Sequence, residues 1–348
     1  MPKITVLVAS PSPVNRARLA KQFGTLAEVE VVAVAGDLSE TFTWTELNEP
    51  DVVVVADEFR QIDDFDAMKS LFYALSTRWI FAYSGTARRP NPEIIGPNGR
   101  SIVEPAIDLT MSPAEILAQV RQVMTIKRSK GARTKLAVSR APQAKSDTLV
   151  LIGSSTGGVD ALLTVLSDFP EDCPPTAIVQ HTGQGFSDGL VKLLDRRCKP
   201  KVVAAQDGLI LTQGMVCVAG GTVGHMIMNS EMPFQCQIWR GQPVSGHVPS
   251  VDALFRSAVP FAQKVIAVIL TGMGQDGAAG LLELSRAGAM TIGQDAASSV
   301  VYGMPKAAFE MGAVQKQLPV GRIGAEILSL SAQSARRSQA LDHRKAAR

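Results

Sequence analysis

Three polar side chains follow buried apolar runs and stand in glycine-rich surroundings. Ser155 lies at the centre of residues 153–158, GSSTGG, which contain the pattern G-x-S-x-G. His181 opens a second loop, and Asp276 belongs to a third, residues 271–277, TGMGQDG. A hydroxyl, an imidazole and a carboxylate are the groups that a serine hydrolase uses as nucleophile, general base and orienting group. The sequence therefore predicts acyl-transfer chemistry, provided that folding brings the three loops together.

Each of these signals has a simpler structural interpretation when it is taken alone. Residues 153–158 could form only a glycine-rich turn or an anion cradle, although they lack the Gly-Lys-Ser/Thr of a P-loop and the G-x-G-x-x-G of a dinucleotide site. His181 could be a packed or surface histidine, and Asp276 could simply cap the helix that follows it. The order Ser, His, Asp also differs from the order Ser, Asp, His of α/β-hydrolases. The functional interpretation depends on all three loops leaving the same edge of one sheet.

The elements that would position these residues alternate between strand and helix on both sides of a basic stretch, residues 127–146. The strands predicted before it are 4–9, 29–35, 51–56, 79–84 and 101–103, with helices at 14–23 and 112–124. The strands predicted after it are 148–152, 176–180, 202–205, 216–219, 265–270 and 290–294. This alternation predicts an α/β protein of two doubly wound, mostly parallel sheets. Sites in such sheets collect at the carboxyl ends of the strands.

Composition limits the classes of function that remain. The chain has 348 residues, of which 46% are apolar and 19% charged, so it can bury two cores. A net charge of +3 is too small to indicate a nucleic-acid partner. No apolar run is long enough for a membrane span, the amino terminus lacks the core of a signal peptide, and none of the 4 cysteines forms C-x-x-C. We therefore expect a cytoplasmic protein without membrane insertion, metal or cofactor.

In order and spacing, five stretches resemble the signatures of the CheB methylesterase domain. They are residues 152–158, 180–181, 247–252, 270–280 and 300–305. The resemblance spans about residues 148 to 328 and implies a Rossmann-like catalytic domain. It also implies hydrolysis of glutamate methyl esters on the cytoplasmic helices of methyl-accepting chemoreceptors, with release of methanol. Related enzymes also deamidate receptor glutamines, and contacts with other chemosensory proteins are compatible with the resemblance.

The resemblance also implies a role for each residue of the site. Ser155 is the expected nucleophile, His181 the general base and Asp276 the residue that orients it. Main-chain amides near Thr156 and Met273 are the expected oxyanion donors, because the tetrahedral oxyanion of acyl transfer needs fixed dipoles.

Two other histidines and two other functional classes stay open at this stage. His247 could line the substrate groove or have a structural role, and His225 could be structural or lie beside the substrate. A catalytically silent adaptor that binds receptor tails would use the same fold. A small-anion or nucleotide-binding module would use residues 153–158 without the serine chemistry.

The amino-terminal half resembles the receiver domain that precedes this esterase in two-component signalling, but its phosphorylation pocket is degenerate. Ser10 and Pro11 stand where a receiver has the acidic pair that binds magnesium. Ala56 stands at the phosphoacceptor position, with Asp57 next to it as a candidate in a shifted register. Without these acids a divalent cation has few hard oxygen ligands. We expect a flavodoxin-type pseudo-receiver.

Of the other two positions of the receiver pocket, one has the expected type of residue and one does not. Ser84 keeps the hydroxyl expected after strand four, whereas Glu104, before Pro105, stands where the lysine belongs. The predicted domains are 1–126 for the pseudo-receiver, 127–147 for a basic linker, 148–330 for the catalytic domain and 331–348 for a basic tail. The two basic segments could be a solvated linker and a loose tail, or they could bind an acidic partner.

Overall fold

The computed structural model describes residues 3–48, 50–61, 72, 77–83, 93–95, 101–103, 106–125, 147–182, 187–221, 224–229 and 233–346. The chain forms two compact units, residues 1–136 and 137–348. Their boundary falls within the stretch 127–147 that was predicted as a linker, of which residues 127–146 lie outside the described residues. Both units are α/β, as the sequence predicted.

The first unit is built around a five-stranded parallel sheet. Its elements are β1 (Ile4–Ala9), α1 (Pro13–Gly24), β2 (Val29–Ala35), α2 (Leu38–Asn48), β3 (Val52–Ala56), a 3₁₀ helix (Asp57–Gln61), β4 (Arg78–Tyr83), β5 (Glu93–Ile95), β6 (Ser101–Val103), β7 (Ala106–Asp108) and α3 (Pro113–Thr125). The strand order is β2-β1-β3-β4-β7, with every neighbouring pair parallel. All five residues of β3 are buried, because helices cover both faces of such a sheet.

One predicted strand of this unit exists but does not belong to the main sheet. Ser101–Val103 is a strand, but it pairs antiparallel with Glu93–Ile95 in a separate hairpin. The fifth strand of the main sheet is Ala106–Asp108, which pairs with β4. Glu104 therefore precedes the fifth strand instead of following it, and the inference that it replaces the receiver lysine loses its basis. Glu104, with Pro105 and Ser84, lies outside the described residues.

The second unit carries a larger sheet. Its elements are β8 (Leu149–Ser154), α4 (Gly158–Leu166), β9 (Thr176–Gln180), α5 (Ser187–Arg197), β10 (Lys201–Ala204), β11 (Met215–Ala219), β12 (His225–Met228), β13 (Cys236–Trp239), α6 (Val251–Ser257), a 3₁₀ helix (Val259–Lys264), β14 (Val265–Ile269), α7 (Ala278–Arg286), β15 (Met290–Gln294), α8 (Met304–Glu310), β16 (Lys316–Leu318) and α9 (Val320–Ala346). The six predicted strands are all present within about two residues at either end.

The strand order of this sheet places the three polar loops side by side. It reads β10-β11-β9-β8-β14-β15-β16, and all neighbouring pairs are parallel. From β8 the chain first builds outward through β9 and later returns to add β14 on the other side. A crevice opens at such a reversal, outside the carboxyl ends of the strands. Every residue of β8, β9 and β14 is buried, so the sheet is a fixed base for the loops that leave these strands.

Three features of the second unit differ from the sequence prediction. The hairpin of β12 and β13 and the edge strand β16 were not predicted. The segment 331–348, predicted as a loose basic tail, continues the last helix as far as Ala346. No helix among the described residues combines the length and the apolar character that a membrane span requires.

Candidate active site

Ser155 sits at the tight connection between β8 and α4. The turn needs a left-handed residue, which Gly157 supplies with φ of 76°. A side chain at Gly157 would also place its Cβ 2.6 Å from Val300. The amide of Ser155 donates to the carbonyl of Thr271 at 3.0 Å, which ties this turn to the loop after β14. Ser155 is partly exposed at the end of an otherwise buried strand.

His181 lies next to Ser155 because of the register of β8 and β9. Ser154 pairs with Gln180, so the residues that follow them leave the sheet together, and the His181 amide donates to the Ser154 carbonyl at 3.0 Å. The buried Gln180 amide donates to the carbonyls of Ser155 at 2.8 Å and His181 at 3.0 Å. Its oxygen accepts from Ser154 Oγ at 2.7 Å. Gln180 thereby fixes the backbone of both candidate catalytic residues.

The imidazole of His181 is oriented by Asp276. His181 Nε2 lies 2.8 Å from Asp276 Oδ2, and because a carboxylate only accepts, Nε2 donates. The side chain of His181 is 10% exposed. Its Nδ1 is buried and has no hydrogen-bond partner among the described residues. Nδ1 is therefore the nitrogen that can take a proton from a nucleophile.

Asp276 is held as a buried carboxylate by main-chain and side-chain donors. Ser250 Oγ donates to Oδ1 at 2.8 Å, the Asp252 amide to Oδ1 at 3.0 Å and the Val251 amide to Oδ2 at 2.8 Å. Burial alone would raise the pKa of Asp276, but the hydrogen bonds from His181 and these amides outweigh burial and lower it. Asp276 thus keeps its negative charge, which favours a protonated His181 during a reaction.

The loop after β14 closes the site from the side opposite His181. Gly272 approaches so closely that a Cβ there would lie 2.7 Å from the Cβ of Ser155 and 2.3 Å from Met304 Sδ. Thr271 Oγ1 donates to the carbonyl of Thr156 at 2.9 Å and accepts from the Val301 amide at 2.9 Å. These contacts hold the first and third loops at a fixed distance.

Two main-chain N–H groups beside Ser155 are available to a ligand. The amides of Thr156 and Met273 donate to no acceptor among the described residues. The Met273 side chain is 72% exposed. Such amides can stabilise an oxyanion if they converge on the atom that develops the charge.

The structure brings Ser155, His181 and Asp276 to one edge of the sheet, but the chain of hydrogen bonds is incomplete. The link from His181 to Asp276 is formed, whereas Ser155 Oγ makes no hydrogen bond with another described residue. Catalytic hydrogen bonds are often long in unliganded sites and shorten when substrate binds.

The structure shows contacts in this site that sequence reasoning did not predict. Ser250 was quoted only within a motif, yet it caps α6 and donates to Asp276. His247 stacks on His181, with ring centroids 3.8 Å apart and planes 10° from parallel. His225 is buried, accepts from the Ser250 amide through Nδ1 and donates through Nε2 to the Gln242 carbonyl, which favours its structural interpretation. These roles are set by tertiary contacts that spacing does not reveal.

Comparison with known proteins identifies the family that the chain resembles. A family model described as CheB methylesterase matches residues 150–327. A protein-glutamate methylesterase/protein-glutamine glutaminase of Caulobacter vibrioides is 38% identical, over 97% of this chain and 100% of that protein. One from Gluconobacter oxydans is 51% identical over 53% of this chain and 54% of its own length.

A solved structure gives the same result for the second unit. The crystal structure of the Thermotoga maritima CheB methylesterase catalytic domain is 32% identical, with a TM-score of 0.51, over 53% of this chain and 98% of that one. The family match therefore covers the residues that form the site, and the similarity to the Caulobacter protein extends along nearly the whole chain. The chain belongs to the CheB methylesterase family.

Proposed function

We propose that this protein hydrolyses glutamate methyl esters on the cytoplasmic helices of chemoreceptors, releases methanol, and also deamidates receptor glutamines. The names of its relatives, protein-glutamate methylesterase/protein-glutamine glutaminase, support both reactions. Both reactions attack the same side-chain carbonyl and differ only in the leaving group, so one site can serve them. The protein would act in the cytoplasm, where these helices lie, in the adaptation of a chemosensory pathway.

The proposed reaction uses the three loops in turn. Ser155 Oγ attacks the ester carbonyl and gives its proton to His181 Nδ1, while the amides of Thr156 and Met273 hold the oxyanion. The tetrahedral intermediate collapses, and methoxide leaves as methanol with the proton from His181. Water then attacks the acyl-enzyme with His181 as base again, releasing the glutamate carboxyl group and restoring Ser155.

One observation carries this proposal. His181 donates its Nε2–H to a buried, ionised Asp276 and keeps Nδ1 without a partner among the described residues. A histidine that served only packing would use both nitrogens, as His225 does. A buried polar atom without a partner costs stability, so its retention is explained by a role in proton transfer.

A second candidate is a catalytically silent adaptor that binds receptor helices. The observation in its favour is that Ser155 Oγ makes no hydrogen bond with His181 or any other described residue. It leaves the buried Asp276 and the unused Nδ1 without an explanation, so we prefer the esterase.

The experiment that separates the two candidates is Ser155→Ala, with methanol release from methylated receptor as the measurement. The variant should lose activity by a factor on the order of 10⁶, because the nucleophile has no substitute. Ser167→Ala is the matched control, since Ser167 is an exposed serine at the end of α4 whose hydroxyl donates to the Thr164 carbonyl. Activity of Ser155→Ala within a few-fold of the wild type would rule out the esterase mechanism.

We also propose that the first unit is a pseudo-receiver and that the enzyme works without aspartyl-phosphate control. At the ends of β1 and β3, Glu58 accepts a hydrogen bond from the Asn15 amide and lies 3.5 Å from Ser10 Oγ. Arg16 Nη1 donates to the Ser10 carbonyl at 2.9 Å. The three positions that are acidic in a receiver hold Ser10, Pro11 and Ala56 here. Together with these internal contacts, that replacement favours a structural role for this end of the sheet.

A further inference from the structure

His247 covers one face of the His181 ring. The two imidazoles are 3.8 Å apart between centroids and 10° from parallel, a face-to-face stack. Within the part of the chain that the structure describes, the His181 side chain is otherwise fixed by a single hydrogen bond, from Nε2 to Asp276. One hydrogen bond sets the position of one ring atom but leaves the ring free to tilt about it. A flat neighbour at van der Waals distance removes that tilt and so sets the direction of Nδ1.

The segment that presents His247 is itself rigidly held. Val244 and His247 exchange main-chain hydrogen bonds of 3.2 and 3.0 Å around a turn whose central residues, Ser245 and Gly246, have φ of 53° and 82°. A non-glycine residue with a left-handed backbone conformation is uncommon, and other contacts must stabilise it. Ser245 Oγ makes such a contact, because it donates to the buried Asp252 at 2.7 Å.

The surroundings of His247 favour its neutral form. Burial lowers its pKa, the neighbouring His181 lowers it further, and Asp276 raises it to a smaller extent. The titratable groups that face His247 are His181 after β9, Asp276 after β14 and, through Ser245, Asp252 on α6. A neutral ring over His181 favours the imidazolium through its π face, whereas a protonated ring would repel it.

We propose that His247 is a positioning residue: its ring stacks on His181, aims Nδ1 of His181 at Ser155 and stabilises the imidazolium that forms during catalysis. The inference rests on the proposed esterase function. It assigns to His247 an action on kcat, because the ring touches the base and acts in the step that charges it.

The experiment compares two substitutions that differ only in whether a flat ring remains. His247→Phe keeps the stack and should retain kcat within about threefold, whereas His247→Ala should lower kcat roughly 10- to 100-fold with KM little changed. Phe309→Ala is the control for loss of a ring, since Phe309 is 50% exposed on α8 and should leave both constants unchanged. Wild-type kcat in His247→Ala, or equal losses in the two variants, would overturn the proposal.

The pH profile gives a second readout that a purely structural role would not change. If His181 and His247 must both be neutral, log kcat/KM of the wild type falls with a slope approaching two on the acid side, and with a slope of one in His247→Phe. Acid limbs that coincide in the two proteins at every pH where both stay folded would overturn the proposal, even if His247→Ala failed to fold. An inactive Ser155→Ala beside a fully active His247→Ala would reject this inference alone, whereas an active Ser155→Ala would reject the esterase itself.

Discussion

At the scale of single residues, the charge on Asp276 is the feature on which the chemistry depends. A buried carboxylate is stable only where donors replace the water that it loses. Asp276 receives three such bonds from Ser250, Val251 and Asp252 in addition to the one from His181. Because its pKa is lowered, its contribution to stability is complete above about pH 4, the unfolded value, and disappears as the pH falls through the folded one.

Asp276→Asn should lower kcat by roughly 10³- to 10⁴-fold, because an amide cannot stabilise the imidazolium and can hold the wrong tautomer of His181. It should also lower the free energy of unfolding by about 1–3 kcal/mol, because the amide NH₂ would face donors. Methanol release and chemical denaturation at pH 7 measure both effects, with Asp188→Asn, an exposed aspartate in α5, as control. An Asp276→Asn enzyme with nearly normal kcat would show that His181 needs no orienting charge.

Sequence reasoning selected the three residues that the structure brings to this edge of the sheet, but it did not predict the contacts that hold them. Ser155, His181 and Asp276 were found because each follows a strand, and strand ends are readable from apolar runs. Ser250 and His247 contact them across gaps of 26 and 66 positions in sequence, as the residue numbers show. Only the fold brings such residues together, so the stretch 247–252 did not reveal which side chains its residues contact.

At the scale of elements, the close approach of the β14 loop to the β8 turn decides whether the site forms. Gly272 is the point of contact, since its missing side chain leaves room for Ser155 and for Met304 of α8. The amide of Ser155 and the carbonyl of Thr271 are joined at the same place. The third loop can therefore lie this close to Ser155 only because residue 272 has no side chain.

Gly272→Ala should move this loop away from Ser155, since the new methyl group would lie 2.7 Å from the Ser155 Cβ. We expect a loss in kcat on the order of 10²-fold, because misplacement by about 1 Å is enough for that. Gly321→Ala provides the control, as no atom lies within 4 Å of its added Cβ. Steady-state kinetics with both variants is the measurement, and equal rates would contradict the importance of this contact.

The elements themselves were predictable where their apolar runs are long and continuous. The strands β8, β9, β14 and β15 agree with the prediction because both faces of the sheet are covered, which makes their residues apolar or small except for Gln180 and Gln294 at the carboxyl ends of β9 and β15. The fifth strand of the first sheet was assigned wrongly because Ser101–Val103 and Ala106–Asp108 are both three residues long and lie close together. For α9, the polar composition after residue 330 suggested a tail, although helices tolerate such residues on an exposed face.

At the scale of the whole molecule, the unit that we propose to be catalytic shares the chain with a unit whose sheet is receiver-like and whose acidic pocket we propose to be lost. The positions that matter are at the ends of β1 and β3, where Ser10 and Asn15 each contact Glu58. Two separate cores could be predicted from the alternation of strands and helices around the basic stretch. How the activity is regulated could not be predicted, because no pattern in the sequence identifies a regulatory partner.

Incubating the full-length protein with acetyl phosphate and magnesium should leave its methylesterase rate unchanged and form no acid-stable, base-labile phosphoryl group. The physical reason is that too few carboxylates remain to hold the cation and accept the phosphoryl group. Mass spectrometry and methanol release are the measurements, and Asp57→Asn serves as the control for the shifted register. Activation of the wild type that Asp57→Asn abolishes would show that Asp57 is an acceptor after all.

The central claim is that Ser155 is a nucleophile activated by His181, and covalent capture tests it most directly. The full chain would be treated with a fluorophosphonate, which reacts with activated serines, and the modified peptide located by mass spectrometry. We expect one adduct, on Ser155, formed in the wild type and lost in His181→Ala. A wild-type protein that releases methanol but carries no adduct on Ser155 would contradict the account.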